Sequence, residues 1–135
     1  MNCPLKRFLA PYQAQILSLL RLVAAYAFFL HGTAKVFGFP ISMGNAPFNW
    51  ASLMGVAAAL ELVGGALLFV GLFTRPVAFL LSGQMAVAYF MAHFSLYPLA
   101  KGGEAALLFS LVFLYFASAG GGAWSLDRLC CRSHA

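Results

Sequence analysis

The amino-acid sequence predicts an all-α membrane protein, a bundle of four transmembrane helices. Of its 135 residues, 63% are hydrophobic and only 8% are charged, and the mean hydropathy is +0.89. A soluble domain carries about 25% charged residues, so this chain is expected to be solvated by lipid. Four apolar segments reach the roughly 20 residues that a helix needs to cross a bilayer. We therefore expect a single integral membrane domain over residues 1–135, with the lipid bilayer as its main partner.

The first predicted helix spans about residues 17–37 and the second about residues 50–73. Arg21 falls in the first turns of the first helix, where its long side chain is expected to snorkel toward the lipid headgroups. Lys6 and Arg7 precede this helix as the charged region of a signal peptide would. Because Arg21 would interrupt the apolar core of such a peptide, an uncleaved signal anchor is favoured.

The third predicted helix spans about residues 76–96 and the fourth about residues 104–123. Pro76 is well placed as the first residue of a helix, since its missing amide would have no helical partner there. Pro98 separates the third helix from the fourth, and the glycines at 120–122 end the fourth. These signals complete the four predicted crossings.

The basic residues predict the orientation of the bundle, because cytoplasmic loops of membrane proteins are enriched in Lys and Arg. An amino terminus in the cytoplasm leaves only Lys35 and Lys101 of the eight basic residues on the outer side. The cytoplasmic side then carries Lys6, Arg7, Arg21, Arg75, Arg128 and Arg132. Both termini are therefore predicted to be cytoplasmic.

Several classes of site are not indicated by the sequence. The basic residues occur singly or in pairs and do not form the basic face of a nucleic-acid-binding protein, so no nucleic-acid partner is expected. Cys3, Cys130 and Cys131 lack CxxC or His-paired spacing. They are expected to be inert thiols, with a thiol or soft-metal role of Cys130 and Cys131 as the alternative. We expect no metal site and no intrinsic cofactor.

Glu61 is the most informative residue of the sequence, because the run from Trp50 to Phe73 is otherwise apolar or small. An acidic side chain at the centre of a membrane helix costs roughly 2.5–3.5 kcal/mol on insertion scales. Glu61 is too far from either helix end to snorkel out. We therefore expect it to be sheltered inside the bundle and paired with Arg21, His31 or Lys35.

Other ionisable residues are expected to approach Glu61 in the outer half of the bundle. His31 and Lys35 are four residues apart and share one helical face, and Glu61 would lie roughly 6 Å deeper than His31. Outward snorkelling of Lys35, helix-end stabilisation by Glu104 and plain packing of His93 are the structural alternatives. Arg21 and Gln84 are expected in the inner half. The candidate ligand-binding residues are Glu61, His31, Lys35, Arg21, His93 and Glu104.

This set of side chains suits a membrane-dissolved ligand with carbonyl oxygens. Imidazole and a protonated carboxyl group donate hydrogen bonds to such oxygens, and both exchange protons. Quinone fits this description, because its reduction requires protons. A proton or small-ion pathway would use the same residues. A haem held between His31 and His93 is a weaker alternative.

Short polar and glycine motifs occur along the chain in a fixed order: Arg21, His31-Gly32-x-x-Lys35-x-Phe37-Gly38, Glu61-x-x-Gly64-Gly65, Gly71-Leu72-x-Thr74-Arg75, Gly103-Glu104 and Gly120-Gly121-Gly122-x-x-Ser125-Leu126-Asp127. In their order and spacing they resemble the DoxX family over about residues 18–128. The resemblance implies a multi-pass, four-helix protein of the bacterial inner membrane. The polar positions that match are Arg21, His31, Lys35, Glu61, Arg75, Glu104 and Asp127.

The resemblance also implies a set of functions. Relatives are associated with thiosulfate:quinone oxidoreductase, as its membrane subunit, and with complexes that join a sulfurtransferase and superoxide dismutase in thiol and oxidative defence. We therefore expect a membrane subunit of a quinone-linked redox or oxidative-stress complex, with a soluble oxidoreductase or sulfurtransferase partner. The resemblance is compatible with a catalytic or a non-catalytic chain.

Two alternatives remain open at this point. The first is a non-catalytic adaptor or chaperone that assembles a partner oxidoreductase, since distant relatives act as membrane chaperones or cargo receptors. The second is a small transporter or proton pathway, which four helices would form only as a homo-oligomer.

Overall fold

A computed structural model describes residues 4–42 and 47–132, together with their side chains except those of Lys6, Lys101, Cys131 and Arg132. Cys3 lies outside the described residues. Within them the chain is helical and contains no strand, which confirms the predicted all-α class for this part. The helices are α1 (Pro4–Leu9), α2 (Gln13–Phe37), α3 (Leu53–Val70), α4 (Thr74–Ala88), α5 (Glu104–Ala119) and α6 (Leu126–Arg132). Short 3₁₀ turns cover Ala10–Tyr12 and Pro98–Lys101, and a π-helical turn, Tyr89–His93, continues α4.

Three helical stretches of the described chain are long and apolar enough to cross a membrane: Arg7–Phe37, Leu53–Val70 and Thr74–His93. The fourth apolar helix, Glu104–Ala119, is shorter. Its 16 residues rise roughly 24 Å, at about 1.5 Å per residue. The prediction of a helix over residues 104–123 is therefore too long, because the backbone leaves the helix at Gly120, whose φ is +88°.

The boundaries of α3 and α4 differ from the predicted ones for local reasons. The hydroxyl of Ser52 accepts a hydrogen bond from the Gly55 amide at 3.1 Å, so α3 begins at Leu53 rather than at residue 50. It ends before Gly71, which takes the left-handed conformation with φ +74°. The third predicted helix ends at residue 96, whereas the observed one passes into the π-helical turn and stops at His93.

The four long helices pack as two pairs, α2 with α3 and α4 with α5, and α3 contacts α4 less extensively. Neighbouring helices approach closely at Gly64 and Gly65, since glycines let membrane helices pack tightly. A Cβ atom on Gly65 would lie 3.1 Å from the Phe29 backbone of α2. A Cβ atom on Gly64 would lie 2.8 Å from the Leu81 side chain of α4.

The apolar core lies where the two helix pairs meet. Phe28 and Phe113 make an edge-to-face contact with ring centroids 4.8 Å apart. Phe109, half-buried, stacks on Phe113 at 5.5 Å and also contacts the ring of His31 at 5.7 Å. The core thus continues through Phe109 to the polar residues described next. Its fully buried members are Ala25, Phe28, Leu68, Ala78, Leu81, Phe113 and Phe116.

Candidate functional site

An ion pair lies at the interface of α2 and α3. The Nζ atom of Lys35, in the last turn of α2, lies 2.5 Å from Oε1 of Glu61 in the middle of α3. Glu61 is 1% exposed and the side chain of Lys35 is 16% exposed. Gly32 makes this approach possible, because a Cβ atom there would lie 3.1 Å from that of Glu61. Of the three predicted partners of Glu61, the structure selects Lys35, whose side chain therefore does not snorkel outward.

Gln84 of α4 joins this pair, although it was predicted to lie in the inner half, away from Glu61. Its Nε2 group donates to the carbonyl oxygen of Ala57 at 3.3 Å and, more weakly, to Oε1 of Glu61 at 3.5 Å. Two buried oxygens, Oε2 of Glu61 and Oε1 of Gln84, have no hydrogen-bond partner among the residues that the structure describes. More than 90% of buried polar groups are hydrogen-bonded in folded proteins. These two atoms therefore require an explanation beyond packing.

A cavity of about 1050 Å³ adjoins these residues between α3, α4 and α5. Its walls are mostly apolar and include Met54, Leu60, Leu80 and Met91. The cavity opens on the side of the bundle, because three of its lining residues are exposed there: Met54, Leu80 and Met91. This side would face the surrounding lipid. Its polar lining consists of His31, Lys35, Glu61, Gln84 and His93, which we call the cavity site.

His31 contributes a ring nitrogen to the cavity site. Its Nδ1 atom lies 2.9 Å from the carbonyl oxygen of Ala27. Since a carbonyl oxygen only accepts, Nδ1 carries the proton, and Nε2 of the neutral ring is left as an acceptor. Phe109 holds the imidazole edge-on, so the ring orientation is fixed by both a hydrogen bond and packing.

His93 reaches the cavity from the π-helical turn, whereas Glu104 does not. A Cβ atom on Gly103 would lie 2.6 Å from that of His93, so the glycine lets this turn pack closely. Turns of the π type are frequent at functional sites because they shift the side chains that follow. Glu104 is exposed in the first turn of α5, where it matches the predicted helix-end alternative, and it lies outside the cavity lining.

Arg21 is placed quite differently from its prediction. It is 0% exposed and lies fourteen residues before Lys35 on α2, roughly 21 Å away along the helix. The predictions of headgroup snorkelling and of pairing with Glu61 are therefore wrong. The guanidinium instead donates to four backbone carbonyls: Gly121 at 2.8 Å, Trp124 at 2.8 Å, Phe69 at 2.5 Å and Leu68.

These acceptors explain why Arg21 is buried. Leu68 and Phe69 belong to the last turn of α3, where helical carbonyls lack intrahelical partners. The guanidinium thus closes the end of α3 and binds it to the glycine-rich turn after α5.

Two more charged residues bind backbone groups in this region. The carboxylate of Asp127 accepts from the amides of Phe73 and Thr74 at 2.7 and 2.8 Å, which explains why α4 begins at Thr74.

Arg75 completes this region, since its Nη1 donates to the carbonyl of Ser118 at 2.7 Å. We call Arg21, Arg75 and Asp127, with the backbone groups they bind, the polar lock. All three belong to the family pattern noted in the sequence. Their chemistry in the structure is the binding of backbone groups that helix ends leave unpaired.

The cysteines and a metal site give a simpler result. Among the residues described, His, Cys, Asp and Glu side chains form no group of three or more that would hold a metal ion. Cys130 is exposed on α6, and the side chain of Cys131 lies outside the described part. A thiol role for this pair stays a prediction.

Comparison with known proteins matches this chain to one family. The model of the DoxX family matches residues 16–94, which is more than half of the chain and includes the cavity site and Arg21. A protein of Haemophilus influenzae, described as uncharacterized, is 51% identical over 127 residues. This similarity covers 89% of the present chain and 94% of the relative. No solved structure matches the chain.

Proposed function

The chain belongs to the DoxX family of membrane proteins, and from this premise we propose that it is the membrane subunit of a quinone-linked redox or oxidative-stress complex. The cavity site is its quinone-binding site. The observation that carries the proposal is the buried Lys35–Glu61 pair beside an apolar cavity of about 1050 Å³ that opens sideways.

The cavity supports a ligand that arrives from the bilayer. Ligand cavities usually measure about 300–1000 Å³ and combine apolar walls with a few polar groups, and this one lies at the upper end of that range. Its opening lies between α3 and α4, where Met54, Leu80 and Met91 are exposed. A quinone enters sideways without crossing water, with its ring near Glu61 and its isoprenoid tail along these walls.

The polar groups support proton-coupled chemistry at the ring. Glu61 and His31 exchange protons, and a positioned acid or base typically accelerates such transfers by 10²–10⁴-fold. Lys35 compensates the charge of Glu61 when the carboxyl group is ionised. A buried ion pair alone is weak evidence for function, since many are structural. The adjoining cavity and the unpaired oxygens distinguish this pair from a structural one.

The proposed topology places the cavity site in the outer half of a bacterial inner membrane. In this arrangement α2, α3, α4 and α5 cross the bilayer, with both termini in the cytoplasm. The polar lock then lies on the cytoplasmic side, next to Arg128 of α6. A soluble oxidoreductase or sulfurtransferase partner would dock there.

Lipid extraction and mass spectrometry of the protein purified in mild detergent test the proposal. We expect a quinone to co-purify with the natural chain and to be lost from Glu61→Gln, which removes the charge but keeps the shape. Titration with a short-chain quinone should show at least tenfold weaker binding to this variant. Thr74→Val, which replaces a buried hydroxyl outside the cavity lining, is the matched control and should bind normally.

Three other outcomes would contradict the proposed quinone-binding function or favour one of its alternatives. A folded protein that carries no quinone, with the same affinity for the short-chain quinone in both forms, contradicts the proposal. A stoichiometric protein partner in that quinone-free sample indicates an adaptor. Proton or ion flux in liposomes indicates transport.

A further inference from the structure

The buried atoms of the cavity site that lack a hydrogen-bond partner are acceptors. Glu61 Oε2 and Gln84 Oε1 are buried and lack partners in the described parts of the chain. When the His31 ring is neutral, its Nε2 atom is a third acceptor, because the Nδ1 proton faces the Ala27 carbonyl. A ligand that pairs these three atoms has to bring hydrogen-bond donors.

The orientation of the Gln84 amide is fixed by its neighbours. Its nitrogen faces two acceptors, the Ala57 carbonyl and Glu61 Oε1. Turning the amide over would place oxygen against oxygen at both positions. The Gln84 oxygen is therefore the group left for a ligand, and the adjacent Glu61 carboxylate has its second oxygen left as well.

Lys35 is the cation beside these acceptors, and its ammonium is held on Oε1 of Glu61 at 2.5 Å. A ligand carbonyl next to Glu61 Oε2 would set one acceptor against another, and the carboxylate oxygen would stay unpaired. A ligand hydroxyl in the same place donates to that oxygen. Hydrogen bonds to an ionised acceptor are about twice as strong as neutral ones.

We propose, on the basis of the function proposed above, that the cavity site binds the reduced dihydroxy form of its quinone ligand in preference to the oxidised dicarbonyl form. One hydroxyl group of the ligand donates a hydrogen bond to Glu61 Oε2, and the other donates one to Gln84 Oε1. Glu61 and Gln84 both belong to the cavity lining. Met54 and Met85 belong to that wall, and flexible Met side chains adapt readily to a ligand.

Anaerobic calorimetric titration of the full chain with a short-chain benzoquinone and with its hydroquinone tests this preference. We expect the hydroquinone to bind at least tenfold more tightly, which corresponds to 1.4 kcal/mol. In Glu61→Gln both forms should bind more weakly and the preference should fall to about twofold or less, because the ionised acceptor that favours a ligand hydroxyl is lost. Gln84→Leu, which leaves the ion pair intact, should lower the preference even if Glu61→Gln does not fold.

Each other outcome overturns the inference in a distinct way. Equal affinities, or tighter binding of the benzoquinone, refute the preference and leave the quinone-binding function standing. If neither compound binds, the proposed function fails first. A lipid ammonium group is also a donor, so the titration is repeated in vesicles of phosphatidylcholine with and without phosphatidylethanolamine. Displacement of the hydroquinone by phosphatidylethanolamine would assign the acceptors to a lipid headgroup instead.

Discussion

The polar lock and the cavity site both contain a buried charged residue, but they use it in opposite ways. Arg21 is 0% exposed and Glu61 is 1% exposed. The Arg21 guanidinium donates to four carbonyl oxygens, whereas Glu61 keeps a buried oxygen without a partner in the described structure and adjoins a large cavity. Burial of charge alone thus does not mark a binding site. Incomplete hydrogen bonding beside open volume is what supports the proposed one.

The two regions are also connected through α3. The polar lock holds the carboxyl end of α3 against α2, and Glu61 lies two turns earlier on the same helix. This attachment fixes the rotation and height of α3 relative to Lys35. A short ion pair between two membrane helices requires such a fixed register, so the polar lock positions the cavity site.

Replacing Arg21 should produce the largest loss of stability. In Arg21→Met the carbonyls of Leu68, Gly121 and Trp124 lose a charged donor together. Breaking a buried network of this kind is among the few changes that exceed about 4–5 kcal/mol. Unfolding in mixed detergent micelles, followed by circular dichroism, measures the change. Arg21→Lys should recover only part of it, because an ammonium lacks the planar fork that reaches several carbonyls.

An Arg21→Met protein as stable as the natural chain would show that the four carbonyl contacts contribute nothing net. It would also remove the contrast between the two regions. Quinone binding measured in the surviving folded fraction sharpens the test, since a lock that positions Glu61 should weaken that binding when it is lost.

Replacing Lys35 should have the next largest effect, and a second substitution should reverse it. Lys35→Met leaves Glu61 buried beside a neutral side chain, and loss of one partner of a buried pair costs about 3–5 kcal/mol. The double variant Lys35→Met with Glu61→Gln should regain most of this stability, because no charge remains unpaired. A double-mutant cycle on the same unfolding assay gives the coupling energy.

Additive effects of the two substitutions would contradict the pairing. Arg21 provides the matched contrast. Its partners are backbone carbonyls, so no second side-chain substitution should rescue Arg21→Met.

The sequence was sufficient for the all-α class and for singling out Glu61, but it did not choose among the three candidate partners of Glu61 or give the rest of the site. Glu61 stood out because a carboxylate is rare in an apolar helix, and the spacing of His31 and Lys35 placed them on one face. Arg21 was misplaced because its acceptors are carbonyls of a turn about a hundred positions later. No sequence pattern marks such acceptors.

Gln84 was missed for a different reason. Its amide is uncharged, so insertion costs did not single it out. Its depth was derived from helix ends that were off by a few residues, and α4 in fact begins at Thr74 under the Asp127 carboxylate. A small error in helix bounds moved Gln84 away from Glu61.

Gly83→Leu should have the smallest effect on stability, although its new side chain should block the cavity. Gly83 lies within α4 on the cavity wall, and a Cβ atom there would meet no described atom within 4 Å. Gly83→Leu should raise helix stability by up to about 1 kcal/mol, since glycine is unfavourable inside helices. Its side chain would fill the space between α3 and α4, so quinone affinity should fall at least tenfold in the same titration. Gly83→Ala is the matched control and should keep the affinity. Unchanged binding to Gly83→Leu would mean that the ligand does not occupy this cavity, whatever the role of Glu61.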